Sequence, residues 1–164
     1  MRRRLLALLP AALVAGCGFA LRQPPNLPFH TIHVAAAPGS PLAVEIKRGL
    51  TALGNVQLIN EAARQQEAQV VLDLLAEQRE KVVVGVNSAG QVREFQLRLR
   101  LKFRLRTPAG NVLIPETELL QQREISFNET AVLAKEAEEG LLYRDMQTEI
   151  VQQLMRRIAA VKSR

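Results

Sequence analysis

The stretch FQLRLRLKFRLR, Phe95 to Arg106, alternates without interruption between apolar and polar side chains. Successive side chains of a β-strand point to opposite faces of a sheet, so this alternation places the apolar residues on one face and the polar residues on the other. The apolar members are Phe95, Leu97, Leu99, Leu101, Phe103 and Leu105, and the polar members are Gln96, Arg98, Arg100, Lys102, Arg104 and Arg106. The stretch therefore predicts a strand of a sheet that has one buried face and one cationic face.

The segments on either side predict two neighbouring strands. Residues 70–86 are rich in β-branched side chains and predict one long strand or two short ones. Turn-forming residues at 87–90 and 107–111 then predict two chain reversals, with a return strand at 112–127. Pro115 cannot donate to a strand ladder, so the return strand is expected to be an edge strand or to bulge there.

The remaining periodicities predict a short first strand and two helices. Residues 30–36 are extended, and a helix is expected from the N-cap Ser40 to a stop at Gly54. Its apolar side is predicted to consist of Leu42, Ile46, Leu50 and Leu53. After Asn128 a helical pattern continues almost to the end of the chain, with apolar positions at Leu133, Ala137, Leu141, Ile150, Leu154, Ile158 and Val161.

These elements give the order β-α-β-β-β-α. Residues 55–69 stay open between a brief strand and a loop that packs Val56, Leu58 and Ile59. The prediction is an α+β fold: a two-layer sandwich with a mainly antiparallel sheet and two helices packed on one face.

The first sixteen residues, MRRRLLALLPAALVAG, have the form of a secretory signal peptide. Their apolar run is too short to cross a bilayer. Cys17 is the only cysteine and completes a Val-Ala-Gly-Cys lipobox, so it is the expected lipidation site; the alternative is an ordinary signal with a chance cysteine. Gly18 favours sorting to the outer membrane. The expected organisation is a signal peptide at 1–16, a lipid-anchored tether at 17–29 and a single domain at 30–164.

The cationic face must meet water, acidic side chains or an anionic ligand, because a dry core would not tolerate its like charges. If Arg106 pairs with Val112, Lys102 lies opposite Glu116 and Arg100 opposite Glu118. This register would leave Arg98, Arg104 and Arg106 unpaired, with Arg93 nearby. The charged row is then either a solvated face or a contact for lipopolysaccharide, whose phosphates suit arginine. Nucleic acid is disfavoured, since the chain has no tryptophan and one tyrosine for base stacking.

Three stretches carry a resemblance to a known family. They are VAGCGFALR at 14–22, GQVREFQLRLRLKFRL at 90–105 and AVLAKEAEEGLLYRDMQTEIVQQLMRRI at 131–158. In this order they resemble LptE, the outer-membrane family of lipopolysaccharide-assembly lipoproteins.

The resemblance implies a plug inside the lumen of the LptD β-barrel, on the periplasmic side of the cell outer membrane, and a protein that binds lipopolysaccharide through basic residues. It implies no enzymatic activity and no cofactor. By position, Lys135 matches a basic residue implicated in lipopolysaccharide binding, although it could simply pair with Glu138 or Glu139. The turn Ser88-Ala89-Gly90 lacks the arginine that the family can carry there, unless Arg93 replaces it.

The candidate lipopolysaccharide contacts are therefore Lys135, Arg93, Arg98, Arg100, Lys102 and Arg104. The alternative function is that of an auxiliary lipid-binding lipoprotein of an ABC-type envelope transporter. A metal site is not expected, because His30 and His33 would point to opposite faces of a strand and no acidic cluster accompanies them.

Overall fold

The computed structural model describes residues 26–161, so the predicted signal peptide, Cys17 and most of the predicted tether lie outside the described residues. The strands are β1 (Thr31–Ala35), β2 (Gln57–Leu58), β3 (Val70–Val86), β4 (Val92–Arg106) and β5 (Val112–Ser126). The helices are α1 (Pro41–Ala52) and α2 (Val132–Ala159), and short 3-10 helices occupy Ala62–Glu67 and Glu129–Ala131.

The five strands form one open sheet in the order β2-β1-β3-β4-β5. β3, β4 and β5 make the predicted antiparallel meander, and β3 is one long strand. The α+β class and the mainly antiparallel sheet are confirmed. The sequence pattern left β2 open because two residues are too few to show a period; it pairs parallel to β1, which itself pairs parallel to β3.

Helix α1 begins and ends where the local signals predict. The Ser40 hydroxyl accepts a hydrogen bond from the Ala43 amide at 3.0 Å, and Pro41 occupies the first turn, where its missing amide hydrogen costs nothing. The chain leaves the helix through Gly54 at a φ of 71°, a conformation that a side chain would disfavour. Buried Leu42, Ile46 and Leu50 form the inner face of α1.

The core lies between the two helices and one face of the sheet. All five apolar residues of β4 from Leu97 to Leu105 are completely buried, and they belong to one cluster with the inner residues of α1 and α2. Burying a side chain of this size contributes about 1.5–3 kcal/mol. Leu27 and Phe29, in the segment predicted as tether, also pack into this cluster.

The predicted apolar face of α2 is wrong in its first third, where Leu133 is 82% exposed and Leu141 54% exposed. Leu141 and Ile150 are nine residues apart, about two and a half helical turns, so one helix face cannot bury both. The buried residues of α2 are Tyr143, Met146, Ile150, Val151, Leu154, Met155 and Ile158. The helix continues through Gly140 without a break.

Candidate functional site

The open face of the sheet carries a charge ladder, defined here as the cations Arg98, Arg100, Lys102, Arg104 and Arg106 of β4 together with the acids that flank them. On the β5 side, Arg100 Nη1 lies 3.3 Å from Glu118 Oε1, and Lys102 Nζ lies 3.9 Å from Glu116 Oε1. Both predicted ion pairs therefore form.

The predicted strand register is wrong over most of the β4–β5 pair, although Arg106 does pair with Val112. Lys102 is opposite Glu118, so each ion pair runs diagonally between neighbouring positions. Two register shifts occur between Phe103 and Arg106, and each gives β5 one extra residue. One of the shifts spans Pro115, in agreement with the expected bulge.

Arg104 and Arg106 were predicted to be unpaired, and this is wrong because they share Asp73 of β3. Arg104 Nη2 and Arg106 Nε each donate to Asp73 Oδ2 at 2.8 Å. Asp73 is only 8% exposed. Burial raises the pKa of its carboxyl, but the hydrogen bonds and positive charges of Arg106 and Arg104 outweigh burial and hold that pKa below its usual value.

Arg98 was also predicted to be unpaired, and it has partners as well. Its Nε donates to Gln96 Oε1 at 2.7 Å, and its Nη1 lies 3.9 Å from Glu80 Oε2. Asp73 and Glu80 are seven residues apart, so a regular strand would place them on opposite faces. A register shift between Leu74 and Ala76 brings both to the open face.

A second basic group, which contains Lys135 and Lys81, lies at the end of the sandwich where β4 begins. Lys135 Nζ donates to Glu138 Oε2 at 2.8 Å and to Ser126 Oγ at 3.0 Å. Lys81 Nζ lies 2.7 Å from Glu139 Oε2 and 4.4 Å from the centre of the Phe95 ring. A cavity of about 60 Å³ is lined by Lys81, Phe95, Ser126, Lys135 and Glu139 together with Phe127 and Val132. We call this group the Lys135 corner.

Arg93 borders the Lys135 corner. Its backbone carbonyl accepts a hydrogen bond from the Phe127 amide at 2.7 Å, and Phe127 follows Ser126, the partner of Lys135. The Arg93 side chain is exposed, and within residues 26–161 it makes no ion pair. The structure thus brings Arg93 and Lys135 to one corner, apart from the ladder cations.

Sequence reasoning missed Asp73 and Glu80 as partners of the ladder cations, and it missed the ion pair between Lys81 and Glu139. Glu139 was considered only for Lys135, and α2 presents it to Lys81 instead. Only the fold reveals these contacts, because each joins β3 to a residue at least 31 positions away, except for the 18-residue separation between Glu80 and Arg98.

The histidines occupy ordinary positions. His33 is buried with its Nδ1 2.7 Å from the Ile59 carbonyl oxygen, whereas His30 is exposed. Over residues 26–161 no three His, Cys, Asp or Glu side chains cluster as metal ligands would. No helix in the same range has the length and apolar content needed to span a bilayer.

The family model for LptE, described as lipopolysaccharide-assembly, matches residues 29–158. The chain belongs to the LptE family. This confirms the resemblance inferred from the three sequence stretches. The family is named for an assembly process and not for a reaction, in agreement with the prediction that the chain is not an enzyme.

Curated relatives match nearly the whole chain at modest identity. The LPS-assembly lipoprotein LptE of Pectobacterium atrosepticum is 28% identical over 98% of this chain and 88% of its own length. The protein of the same name from Yersinia pestis (strain Pestoides F) is 30% identical over 98% of this chain and 78% of its own length.

Solved structures share the fold. An uncharacterized lipoprotein B of Nitrosomonas europaea has a TM-score of 0.75 and 30% identity, covering 87% of this chain and 91% of that one. The rare lipoprotein B of Shewanella oneidensis has a TM-score of 0.67 at 19% identity, covering 80% and 95%. A lipoprotein name thus accompanies each of these relatives.

Proposed function

We propose that this protein is an outer-membrane lipoprotein, anchored through Cys17, that assembles lipopolysaccharide as the plug of an LptD-type β-barrel. The match of the LptE family model to residues 29–158 is the observation that carries the proposal. The lipobox at Val14 to Cys17 supports the anchor. The family match also favours this function over an auxiliary subunit of an ABC-type transporter.

The charge ladder suits contact with a barrel wall. The lumen of a large outer-membrane barrel is polar, and the ladder offers it alternating rows of acids and cations. Arg98, Arg100, Lys102 and Arg104 each already have a carboxylate within 3.9 Å, so a phosphate must displace a protein partner to bind any of them. This cost makes the ladder cations the weaker lipopolysaccharide contacts.

The Lys135 corner suits lipopolysaccharide itself. Arg93 is exposed and has no ion pair within the described range, and the carboxylate partner of Lys135, Glu138, is 48% exposed. Beside these cations, Val132 and Leu133 are exposed by 40% and 82%. Lipid A combines phosphates with acyl chains. A corner that holds one exposed arginine without an ion pair in the described range, one lysine whose carboxylate partner is half exposed, and exposed apolar side chains matches both parts of this amphiphile. Arg93 thereby takes the place of the arginine that the 88–90 turn lacks.

Two double variants with the same charge change test the site. Arg93→Gln with Lys135→Gln should weaken binding of purified lipopolysaccharide by roughly tenfold or more, because two charge-assisted contacts to phosphate are lost. Arg98→Gln with Lys102→Gln removes two ladder charges whose ion pairs are long, and it should change binding by less than about threefold. If both variants lost the same affinity for lipopolysaccharide, the binding site would have to be placed on the ladder.

The wider proposal is tested separately. Tagged protein isolated in detergent from outer membranes should retain a large β-barrel protein and lipopolysaccharide. Isolation without any barrel would contradict the plug assignment, whatever the lipopolysaccharide variants show.

A further inference from the structure

The beginning of α2 covers the cavity of the Lys135 corner without a buried side chain to hold it there. We call residues 132–140 the lid. None of residues 132–142 is buried, and the buried residues of α2 begin at Tyr143. Within the lid, Val132 is 40% exposed and Leu133 82% exposed. Most helices of proteins are stabilised by packing an apolar face, so the lid is the most weakly held part of α2.

Both ends of the lid are also weak as helix. Ala131 occupies the N-cap position, and its methyl side chain cannot accept a hydrogen bond from the first amides of the helix. The first turn contains no acidic residue that would interact favourably with the helix dipole. At the other end, Gly140 lies inside the helix, where glycine is among the least favourable residues. The lid can therefore unwind as far as Gly140 while the rest of α2 stays packed.

Polar contacts keep the lid closed. Lys81 Nζ of β3 lies 2.7 Å from Glu139 Oε2, and Lys135 Nζ donates to Ser126 Oγ of β5 at 3.0 Å. The Lys81 and Glu139 side chains are 38% and 23% exposed, so water and salt screen their attraction. An anion that reached Lys81 would compete directly with the carboxylate that holds the lid.

The floor beneath the lid is apolar. The Phe95 and Phe127 rings pack edge to face with their centres 5.4 Å apart, and Ile125, which lines the same cavity, is only 4% exposed. The closed cavity of about 60 Å³ has room for roughly two groups of the size of water. Ligand pockets commonly measure about 300–1,000 Å³. An acyl chain can therefore reach this floor only if the lid moves.

We propose that the lid unwinds to admit one acyl chain of a phosphorylated amphiphile onto the floor of Phe95, Ile125 and Phe127, while a phosphate replaces Glu139 as the partner of Lys81. This inference rests on the proposed function, and it adds a separate site for the acyl part of lipopolysaccharide.

The charges around the cavity select this occupant. Glu136 and Glu139 line the cavity, but both belong to the lid, so its opening carries their negative charges away. Lys81 and Arg93 belong to the sheet and stay beside the apolar floor. The open form thus presents cations next to apolar surface, which suits a phosphate joined to an acyl chain better than an uncharged lipid.

The acyl chain and the phosphates should depend differently on the lid. A ligand shifts an equilibrium only by the difference between its affinities for the two forms. The closed cavity has no room for an acyl chain, so the chain binds the open form alone. The phosphates can contact Arg93 with the lid closed, because its side chain is exposed.

Gly140→Ala tests the acyl site, because it stabilises the closed lid without adding a contact. Apart from adjacent residues and its own helix backbone, no described residue comes within 4 Å of a β-carbon at Gly140. The affinity of the lipidated full chain for lipid A, measured in mild detergent, should fall by about fivefold. Gly49→Ala makes the same change in α1, where the added carbon meets Val151 Cγ1 at 4.0 Å, and should leave that affinity unchanged.

Deacylated lipid A, which keeps the phosphates, separates the acyl site from the phosphate contacts. Its affinity should be the same for the native chain and for Gly140→Ala. If Gly140→Ala weakened the binding of both probes equally, or left the affinity for lipid A unchanged, the acyl site would be refuted while the proposed function stood. If lipid A did not bind the native chain at all, the proposed function would fall together with this inference.

Hydrogen exchange of the protein without ligand measures the opening of the lid itself. The amides of residues 136–139 have partners within the helix, and they should exchange faster than those of residues 146–158. Glu139→Gln should speed their exchange about threefold, because the pair with Lys81 is lost, and Gly140→Ala should slow it about fivefold. Lid amides that exchange as slowly as the rest of α2 would overturn the proposal.

Discussion

Replacing Asp73 by Asn should destabilise the domain by about 2–3 kcal/mol. The substitution keeps the shape of the side chain and one acceptor oxygen, but it removes the charge that holds Arg104 and Arg106. Hydrogen bonds to charged groups contribute about 1.5–3 kcal/mol, and breaking a buried ion pair costs about 3–5 kcal/mol. The lower figure applies because the Arg104 and Arg106 side chains remain 39% and 22% exposed.

The pH dependence of the same variant gives a sharper test. The folded state lowers the pKa of Asp73, so its stabilising effect is fully present above the unfolded pKa and is lost as the pH falls through the folded pKa. The difference in unfolding free energy between the native chain and Asp73→Asn should therefore be largest near neutral pH. It should shrink as the pH falls below about 4.

Denaturant unfolding at several pH values measures both quantities, and thermal unfolding should show a drop of roughly 6–9 °C. Glu118→Gln is the control on the other side of β4. The Glu118 carboxylate is 36% exposed, against 11% for that of Asp73, so solvent screens its pair with Arg100 and the cost should stay below about 1 kcal/mol. An Asp73→Asn cost as small as that of the control, or one that does not vary with pH, would refute the account of Asp73 as the buried anchor of the ladder.

Three further predictions concern other parts of the chain. Cys17→Ala should release the protein from membranes, and labelled palmitate that remained on the variant would contradict the lipobox assignment. Ser40→Ala should cost about 1 kcal/mol in unfolding free energy, because the helix loses its N-cap and the 2.6 Å hydrogen bond to Glu77; an unchanged denaturation midpoint would speak against this. Phe103→Ala should cost about 3–5 kcal/mol, since the ring is completely buried, and a cost below 1 kcal/mol would show that the core collapses around the gap.

Local signals were sufficient for the sheet meander and for α1. Strict alternation from Phe95 to Arg106 decides which face of β4 is buried, and all of Leu97, Leu99 and Leu101 are fully buried. The Ser40 cap needs only its immediate neighbours. Features of this kind are encoded within a few residues, so the sequence alone is enough to place them.

The ladder could not be predicted in full because bulges decide its partners. A bulge inserts one extra residue into a strand, and no sequence pattern marks a bulge as clearly as alternation marks a strand. One such residue in β3 brings Asp73 and Glu80 to the same face of the sheet. Two more in β5 turn directly opposed pairs into diagonal ones. The inner face of α2 was misassigned at Leu133 and Leu141 for a different reason. The spacing of apolar residues predicts a helix, but it does not show which of them the sheet covers.

β3 extends well beyond its short neighbour. β1 pairs only with Val70 to Asp73, which leaves the rest of that side of β3 without a strand beside it among residues 26–161. The middle of this unpaired edge is occupied by Arg79, Glu80 and Lys81. The Tyr143 hydroxyl donates a hydrogen bond to the Glu80 carbonyl at 2.8 Å. A foreign strand that tried to extend the sheet would have to desolvate three charges and disturb that bond. Charged side chains, and not a covering segment, thus protect this edge of the sheet from amyloid-like stacking.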